Sequence, residues 1–166
     1  MFAGTLFSCK DYLEPYPNGS YTTENLWEYQ NMVQGLIGQC YTNISTNYNN
    51  NEGAYLDGAT DDAVITSTTH AIRRMAVGTL TPNVDPFETY WERDYESIYL
   101  VNLFLKDRKG YNTRFIVDEH FNNLVRRRLQ GEAFALRAWF YWDLLQKFGG
   151  KGLSGQMLGV PVILEP

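Results

Sequence analysis

The chain has 166 residues and a formal net charge of −5. That is long enough for one domain burying about 70% of its unfolded surface, and too acidic for a nucleic-acid binder, which needs a basic stripe. Aromatic side chains make up 15% of the sequence, including 12 tyrosines, a content that suits a thick helical core, a carbohydrate-contacting surface, or both. With two cysteines, Cys9 and Cys40, the chain offers neither a disulfide framework nor a zinc spacing.

Met1 to Phe7 is apolar and ends in Leu6-Phe7-Ser8-Cys9, followed by polar Lys10-Asp11. A small residue before a cysteine, behind an apolar run, is the pattern of a bacterial lipobox, in which Cys9 becomes the lipid-bearing first residue. The run carries no Lys or Arg and is shorter than a working signal peptide requires. Residues 1–9 are therefore read as a truncated lipoprotein signal remnant with its lipobox, begun downstream of the true start. Residues 10–22, with Pro15, Pro17 and Gly19, read as an extended tether, and 23–166 as a helical domain. No other segment is expected to cross a bilayer.

Thr22 or Thr23 can cap a helix from near Glu24 to about Ile44, because Leu26, Tyr29, Val33, Leu36, Ile37 and Cys40 recur at threes and fours. Cys40 falls on that face as a small core residue. Asn47 to Gly58 reads as a surface loop too polar for the core. From Thr60 to Thr79 the capping and β-branched signals disagree, which predicts a loop with one helical turn around His70 to Ala76. Asp57, Asp61 and Asp62 read as turn residues, since their spacing lacks the alternating ligands of a calcium loop; no metal or cofactor is expected.

Asp85-Pro86-Phe87-Glu88 predicts a helix start, with Asp85 as N-cap, Pro86 at N1 and Glu88 at N3. Trp91, Tyr95, Ile98, Asn102 and Leu105 then share a stripe that ends before Gly110. A buried Asn102 would need partners, expected from neighbouring backbone. Asp118 caps the next helix, Glu119 to Phe148, roughly 45 Å long at 1.5 Å per residue. Between Ala133 and Leu145 only Arg137 and Asp143 carry charge, so apolar side chains point all round and the helix is expected to be enclosed on several sides. Gly149-Gly150 offers a left-handed stop. Arg126-Arg127-Arg128 reads as a solvated face, and Arg128 can pair with Glu132 one turn on. Gly159 to Leu164 is extended and apolar.

The sum is an all-α chain, three long antiparallel helices with long loops, forming the start of an α-solenoid whose array is incomplete. No Ser/His/Asp set, metal spacing or glycine-rich phosphate loop is present. The two histidines, His70 and His120, stand far apart in sequence.

Four segments, in order, resemble the N-terminal part of the SusD/RagB family. Ser8-Cys9-Lys10-Asp11-Tyr12-Leu13-Glu14 is similar to its lipidated start, and Ala59-Thr60-Asp61-Asp62-Ala63 to its (T/S)-D-(E/D)-A loop. Trp91 to Tyr95 with Ile98 to Asn102 resembles its W…Y…I…N helix. Glu132-Ala133-Phe134-Ala135-Leu136-Arg137-Ala138 with Tyr141, Leu144 and Phe148-Gly149 resembles its EA-x-x-LRA…Y…L…FG signature, completed by Gly159-Val160-Pro161. The resemblance implies a TPR-like α/α superhelix and an outer-membrane lipoprotein anchored on the cell surface through Cys9. It implies a lid over a SusC-like TonB-dependent transporter that binds a glycan or peptide for import without catalysis. It also implies a glycan site in the loop after the T-D-(E/D) motif, where an aromatic side chain stacks on a sugar. Here Ile65, Thr66 and Ser67 follow instead, and the next aromatic is His70. That departure tells against a starch-type stack and leaves Asp61, Asp62, His70, Arg73 and Arg74 as hydrogen-bonding candidates for a more acidic or more polar ligand. Glu132 and Arg137 read as helix-pair locks. Trp91, Trp139 and Trp142 are expected in the core. Trp27 is a core candidate too, but off the Leu26/Tyr29/Val33 stripe it is the tryptophan of the four best placed for exposure, and so a candidate ligand contact.

Two other functions fit the same residues: a helical-repeat scaffold that binds protein or peptide partners only, and a lipoprotein glycosidase built on paired carboxylates.

Overall fold

The computed structural model describes residues 25–44, 50–81 and 83–166; Cys9, the tether and the Thr22/Thr23 cap lie outside the described residues. Helix α1, Gln30–Asn43, follows a 3-10 turn at Leu26–Glu28. It starts later than the predicted Glu24 because Tyr29 is extended (φ −108°, ψ 101°), and its carbonyl accepts the first helical amides, from Met32 and Val33 at 3.0 and 3.1 Å.

Strands β1 (Asn50–Asn51) and β2 (Ala54–Tyr55) pair antiparallel. The two-residue turn Glu52-Gly53 has positive φ at both positions, 49° and 87°, the twist that suits a tight hairpin. This segment is not the wholly exposed loop expected from its polarity. Asn51 is buried and its Nδ2 donates to the Pro86 carbonyl, which satisfies a polar side chain inside the fold. A 3-10 turn at Leu56–Ala59 follows, with Gly58 buried. A Cβ on Gly58 would sit 2.5 Å from the Ile65 side chain, so glycine there lets the loop close over Ile65 and Ile72. Helix α2, Ala71–Ala76, forms where the single helical turn is predicted, and the His70 ring caps it by accepting from Ile72 N–H at 3.2 Å.

Helix α3 is Glu88–Leu105. Asp85 does not serve as its N-cap: its carboxylate accepts from Phe87 N–H at 2.8 Å and holds the turn before the helix. Pro86 lies before the helix, whose N-cap is Phe87, and its carbonyl accepts from Asn51 Nδ2. After a 3-10 turn, Lys106–Arg108, and the short α4, Lys109–Asn112, buried Asn122 organises the next turn by accepting from Phe115 and Ile116 N–H at 2.9 and 3.2 Å. Helix α5 spans Glu119–Phe148, and Asp118 caps it by accepting from Phe121 N–H at 3.1 Å. Gly149 ends it in extended, not left-handed, conformation (φ −77°, ψ 152°). Glycine serves close approach here, since a Cβ would lie 2.6 Å from the Leu145 carbonyl oxygen. A second small hairpin joins β3, Gly150–Lys151, to β4, Met157–Leu158.

The architecture is all-α, with α3 antiparallel to α5 and α1 packed against α3. Trp91 meets Phe148, ring centroids 5.0 Å apart, at one end of the α3/α5 pair; Arg137 Nη1 donates to Asn102 Oδ1 at 3.0 Å toward the other. Asn43 Nδ2 donates to Ser97 Oγ at 2.9 Å across α1 and α3. Val33, Ile37 and Cys40 of α1 meet Ile98, Val101 and Phe104 of α3 and a single stripe of α5: Leu129, Ala133, Leu136, Phe140 and Leu144. Burial pushes the Cys40 thiol up to about 11, a core cysteine rather than a reactive one. Helix α5 is not enclosed on several sides. Phe140 is 0% exposed, but Phe134, Trp139, Trp142 and Leu145 stand 41–49% exposed, because α1 and α3 cover only the one stripe.

Residues 159–166 form an extended strap over the α3/α5 pair. Asn102 Nδ2 donates to the Ile163 carbonyl at 2.9 Å, the backbone partner its burial demands. Tyr141 Oη both donates to the Ile163 carbonyl and accepts from its N–H, each at 2.7 Å, and Tyr95 Oη donates to the Pro161 carbonyl at 2.8 Å.

Phe140→Ala is expected to lower stability by about 3–5 kcal/mol and Trp142→Ala by less than about 1 kcal/mol, measured by urea denaturation. Equal losses would show that Trp142 is enclosed after all. Tyr141→Phe is expected to cost the Ile163 amide its protection in hydrogen exchange while leaving the protection of α5 in place.

Candidate functional site

Antiparallel packing sets the first turns of α3 beside the last turns of α5. On α5, Trp139, Trp142, Asp143 and Gln146 stand at i, i+3, i+4 and i+7, so they share one face, turned away from the buried Leu136/Phe140/Leu144 stripe. Lys147 borders that face. Opposite them stand Phe87, Tyr90 and Arg93, and the β1–β2 hairpin region contributes Asn51 and Leu56. Together these ten side chains line a narrow cleft that opens to solvent, with room of about 60 Å³, smaller than a pocket that encloses a whole ligand.

The indoles of Trp139 and Trp142 lie 5.0 Å apart, tilted by 50°. Tyr90 forms the facing wall and is held by two cations: the Arg93 guanidinium is 4.3 Å and the Lys147 ammonium 4.5 Å from its ring centroid, a cation–π arrangement on both counts. Arg93 donates from Nε and Nη2 to Asp94 Oδ1 at 2.9 and 2.7 Å, and from Nη2 to Asp143 Oδ2 at 3.2 Å. Lys147 Nζ donates to Asp143 Oδ1.

Beneath this layer Asp94 is 0% exposed, and its Oδ2 has no hydrogen-bond partner among the described residues. Burial pushes its carboxyl up to about 7; the Arg93 guanidinium opposes the shift and the Asp143 carboxylate adds to it. Chemically, the cleft offers two part-exposed indoles to an apolar ligand surface, with cationic and amide donors in the same lining.

None of Asp61, Asp62, His70, Arg73, Arg74 or Trp27 lines this cleft. Asp61 and Asp62 are exposed on the turn after Leu56–Ala59, where Thr60 Oγ1 accepts from Asp62 N–H at 3.2 Å. His70 Nδ1 is engaged in capping α2, and Arg73 and Arg74 are half-buried on that helix. Asp57, with Gly58 and Ala63 to Thr66, borders a separate, shallower depression. Trp27, a core candidate but the one of the four best placed for exposure, is half-buried against the core with Lys109 Nζ 5.9 Å from its ring centroid. It folds back because it sits in the 3-10 turn before α1, where a helical stripe does not apply. Trp91, Trp139 and Trp142, expected in the core, are the exposed ones. The signal that finds Trp139 and Trp142 is their shared face with Asp143 and Gln146, the one face of that helix end that mixes indoles with polar groups.

The Asp94 shift has a definite sign. Its carboxyl, raised from 3.8 to about 7, keeps its proton in the fold at pH values where the unfolded chain has lost it. The stability this contributes is present below about pH 4 and lost as pH rises through about 7. Urea denaturation of the unsubstituted chain and of Asp94→Asn between pH 4.5 and 8 is expected to show the difference shifting in the variant's favour as pH rises. A difference independent of pH would mean that Asp94 titrates normally.

Comparison with curated proteins gives no match, and neither does comparison with solved structures. A family model does match: residues 11–166 fit SusD-like_3, described as "Starch-binding associating with outer membrane". The match spans all the described structure, including the LRA-bearing helix α5 and the cleft at its end. The chain belongs to this SusD-like family of starch-binding proteins that associate with the outer membrane.

Proposed function

We propose that this chain captures oligosaccharide at the cell surface for import through a SusC-like TonB-dependent transporter, held at the outer membrane by a lipid on Cys9. Family membership supports glycan binding at that membrane. The observation that carries the reading to particular residues is the exposed Trp139/Trp142 pair, tilted at 5.0 Å and lining a cleft together with Arg93, Gln146 and Lys147. Sugar rings present flat C–H faces that bury against indoles, while their hydroxyls need the hydrogen-bonding groups beside them.

The reading is of a binder rather than a hydrolase. Asp143, the carboxylate that lines the cleft, has both oxygens engaged by Lys147 and Arg93, and Asp94 beneath it is fully buried, so neither is placed as a free acid or base. Asp61, Asp62, His70, Arg73, Arg74 and Trp27 are proposed at most as accessory contacts, since they lie outside the cleft. A scaffold that binds only protein partners is favoured by one observation, the apolar surface of Phe121, Leu124, Phe134 and Leu145 on α5, each 47% exposed or more.

Affinity electrophoresis across a glycan panel tests the proposal. Retardation without released sugar is expected, weakened about tenfold in Kd by Trp139→Ala or Trp142→Ala, the magnitude of about 1.4 kcal/mol in aromatic burial. Retardation that ignores both substitutions would move the site elsewhere, and released reducing sugar would make the protein a hydrolase.

A further inference from the structure

The cleft between Trp142 and Tyr90 is out of balance in hydrogen-bonding capacity. Asp143 is the carboxylate that lines it, and both its oxygens are engaged, Oδ1 by Lys147 and Oδ2 by Arg93. A guanidinium carries five N–H donors and an ammonium three. Arg93 uses Nε and Nη2 on Asp94 and Asp143, which leaves the N–H groups of Nη1. Lys147 uses one donor on Asp143, which leaves the others. The remaining polar side chains of the lining besides Tyr90 and the indoles, Asn51 and Gln146, are neutral.

The second acid of the cluster is withdrawn. Asp94 is fully buried, and with its carboxyl up at about 7 it carries less than a full negative charge at neutral pH. Within the cleft's own lining the remaining charged donors therefore meet no free anionic acceptor; Glu52, Asp85 and Glu88 line the adjoining depression on the other side of Tyr90 and Arg93. A neutral sugar brings donors as well as acceptors. A carboxylate or sulfate brings acceptors only, and charge-assisted bonds to it are about twice as strong as neutral ones. The two cations are also held over the Tyr90 ring at 4.3 and 4.5 Å, so little side-chain freedom remains to be lost on binding.

Resting on the reading of this cleft as the glycan site, we propose that it takes an acidic sugar unit, a pyranose whose carboxylate or sulfate accepts from Lys147 Nζ and Arg93 Nη1 while its ring lies against Trp139 or Trp142.

Isothermal titration of the chain with a galacturonic acid oligomer, dextran sulfate, unmodified dextran and maltoheptaose tests this. At least one acidic probe is expected to bind about tenfold or more tightly than both neutral ones; which acidic probe does so distinguishes a carboxylate from a sulfate ligand. The margin should collapse in Lys147→Gln and shrink in roughly 0.5 M NaCl, where screening extends over only a few ångströms, and binding should still require Trp142. Gln146→Glu, on the exposed rim, places a new acid in the cleft without disturbing the Asp143 cluster; it should cost the acidic probe about tenfold and leave the fold intact. Neutral probes that bind as tightly as acidic ones, dependent on Trp142 and indifferent to Lys147→Gln and Gln146→Glu, would overturn the acidic ligand and leave the glycan site standing. Absence of Trp142-dependent binding by every probe, including acidic binding that salt alone abolishes, would overturn both.

Discussion

Everything in this structure hangs on one stripe of α5. Leu129, Ala133, Leu136, Phe140 and Leu144 are buried against Ile98, Val101 and Phe104 of α3 and Val33, Ile37 and Cys40 of α1. Burying each Leu, Ile, Val or Phe of this set contributes roughly 1.5–3 kcal/mol, against which the surface ion pair of Arg128 and Glu132 at 3.2 Å contributes a few tenths. The stripe fixes the rotation of α5 about its axis. Once that rotation is set, the side chains at Trp139, Trp142, Asp143 and Gln146 have one direction to face, and the antiparallel α3 delivers Tyr90 and Arg93 to meet them.

The polar layer at that end of the pair depends on the same packing. Asp94 is carried into the interior by its place on α3, between residues that must be there for the core. An acid so placed must be paired or neutralised, and both happen: Arg93 binds one oxygen while the carboxyl itself is driven upward in pKa. Arg93 then has its orientation dictated from below, and Tyr90 and Lys147 arrange themselves around it. The cleft is thus supported by a layer of charge that the fold cannot rotate away.

Much of this was legible in the residues and some was not. The bounds of α5, the capping roles of Asp118 and the helical turn after His70 followed from local rules, because caps and periodicity act within a few residues. The buried Asn102 found backbone partners, as its place in the α3 stripe required, and Arg137 joined the helix pair, as its place in the family-like LRA segment implied. What failed depended on distant chain. The exposure of Trp139 and Trp142 is decided by how much of α5 its neighbours cover, and nothing within α5 states that. Trp27 was ranked the most exposed of the four tryptophans because it was set against a helical stripe, whereas it sits in the 3-10 turn before α1, and the polar hairpin became partly buried because Asn51 reaches Pro86 across 35 residues. The cleft joins residues from three separated segments, so it is a product of topology, while Asp61, Asp62, His70, Arg73 and Arg74 share only proximity in sequence.

Past Val160, whose side chain packs against the core, the strap of residues 159–166 is gripped by its main chain. Tyr95, Asn102 and Tyr141 hold the carbonyls of Pro161 and Ile163 and the amide of Ile163, while the side chains of Val162, Ile163 and Leu164 stay exposed. Recognition of this kind is indifferent to side-chain identity. Evolution is free to rewrite the outer surface of that segment, so long as position 163 retains an N–H, and the two helices beneath would register no change.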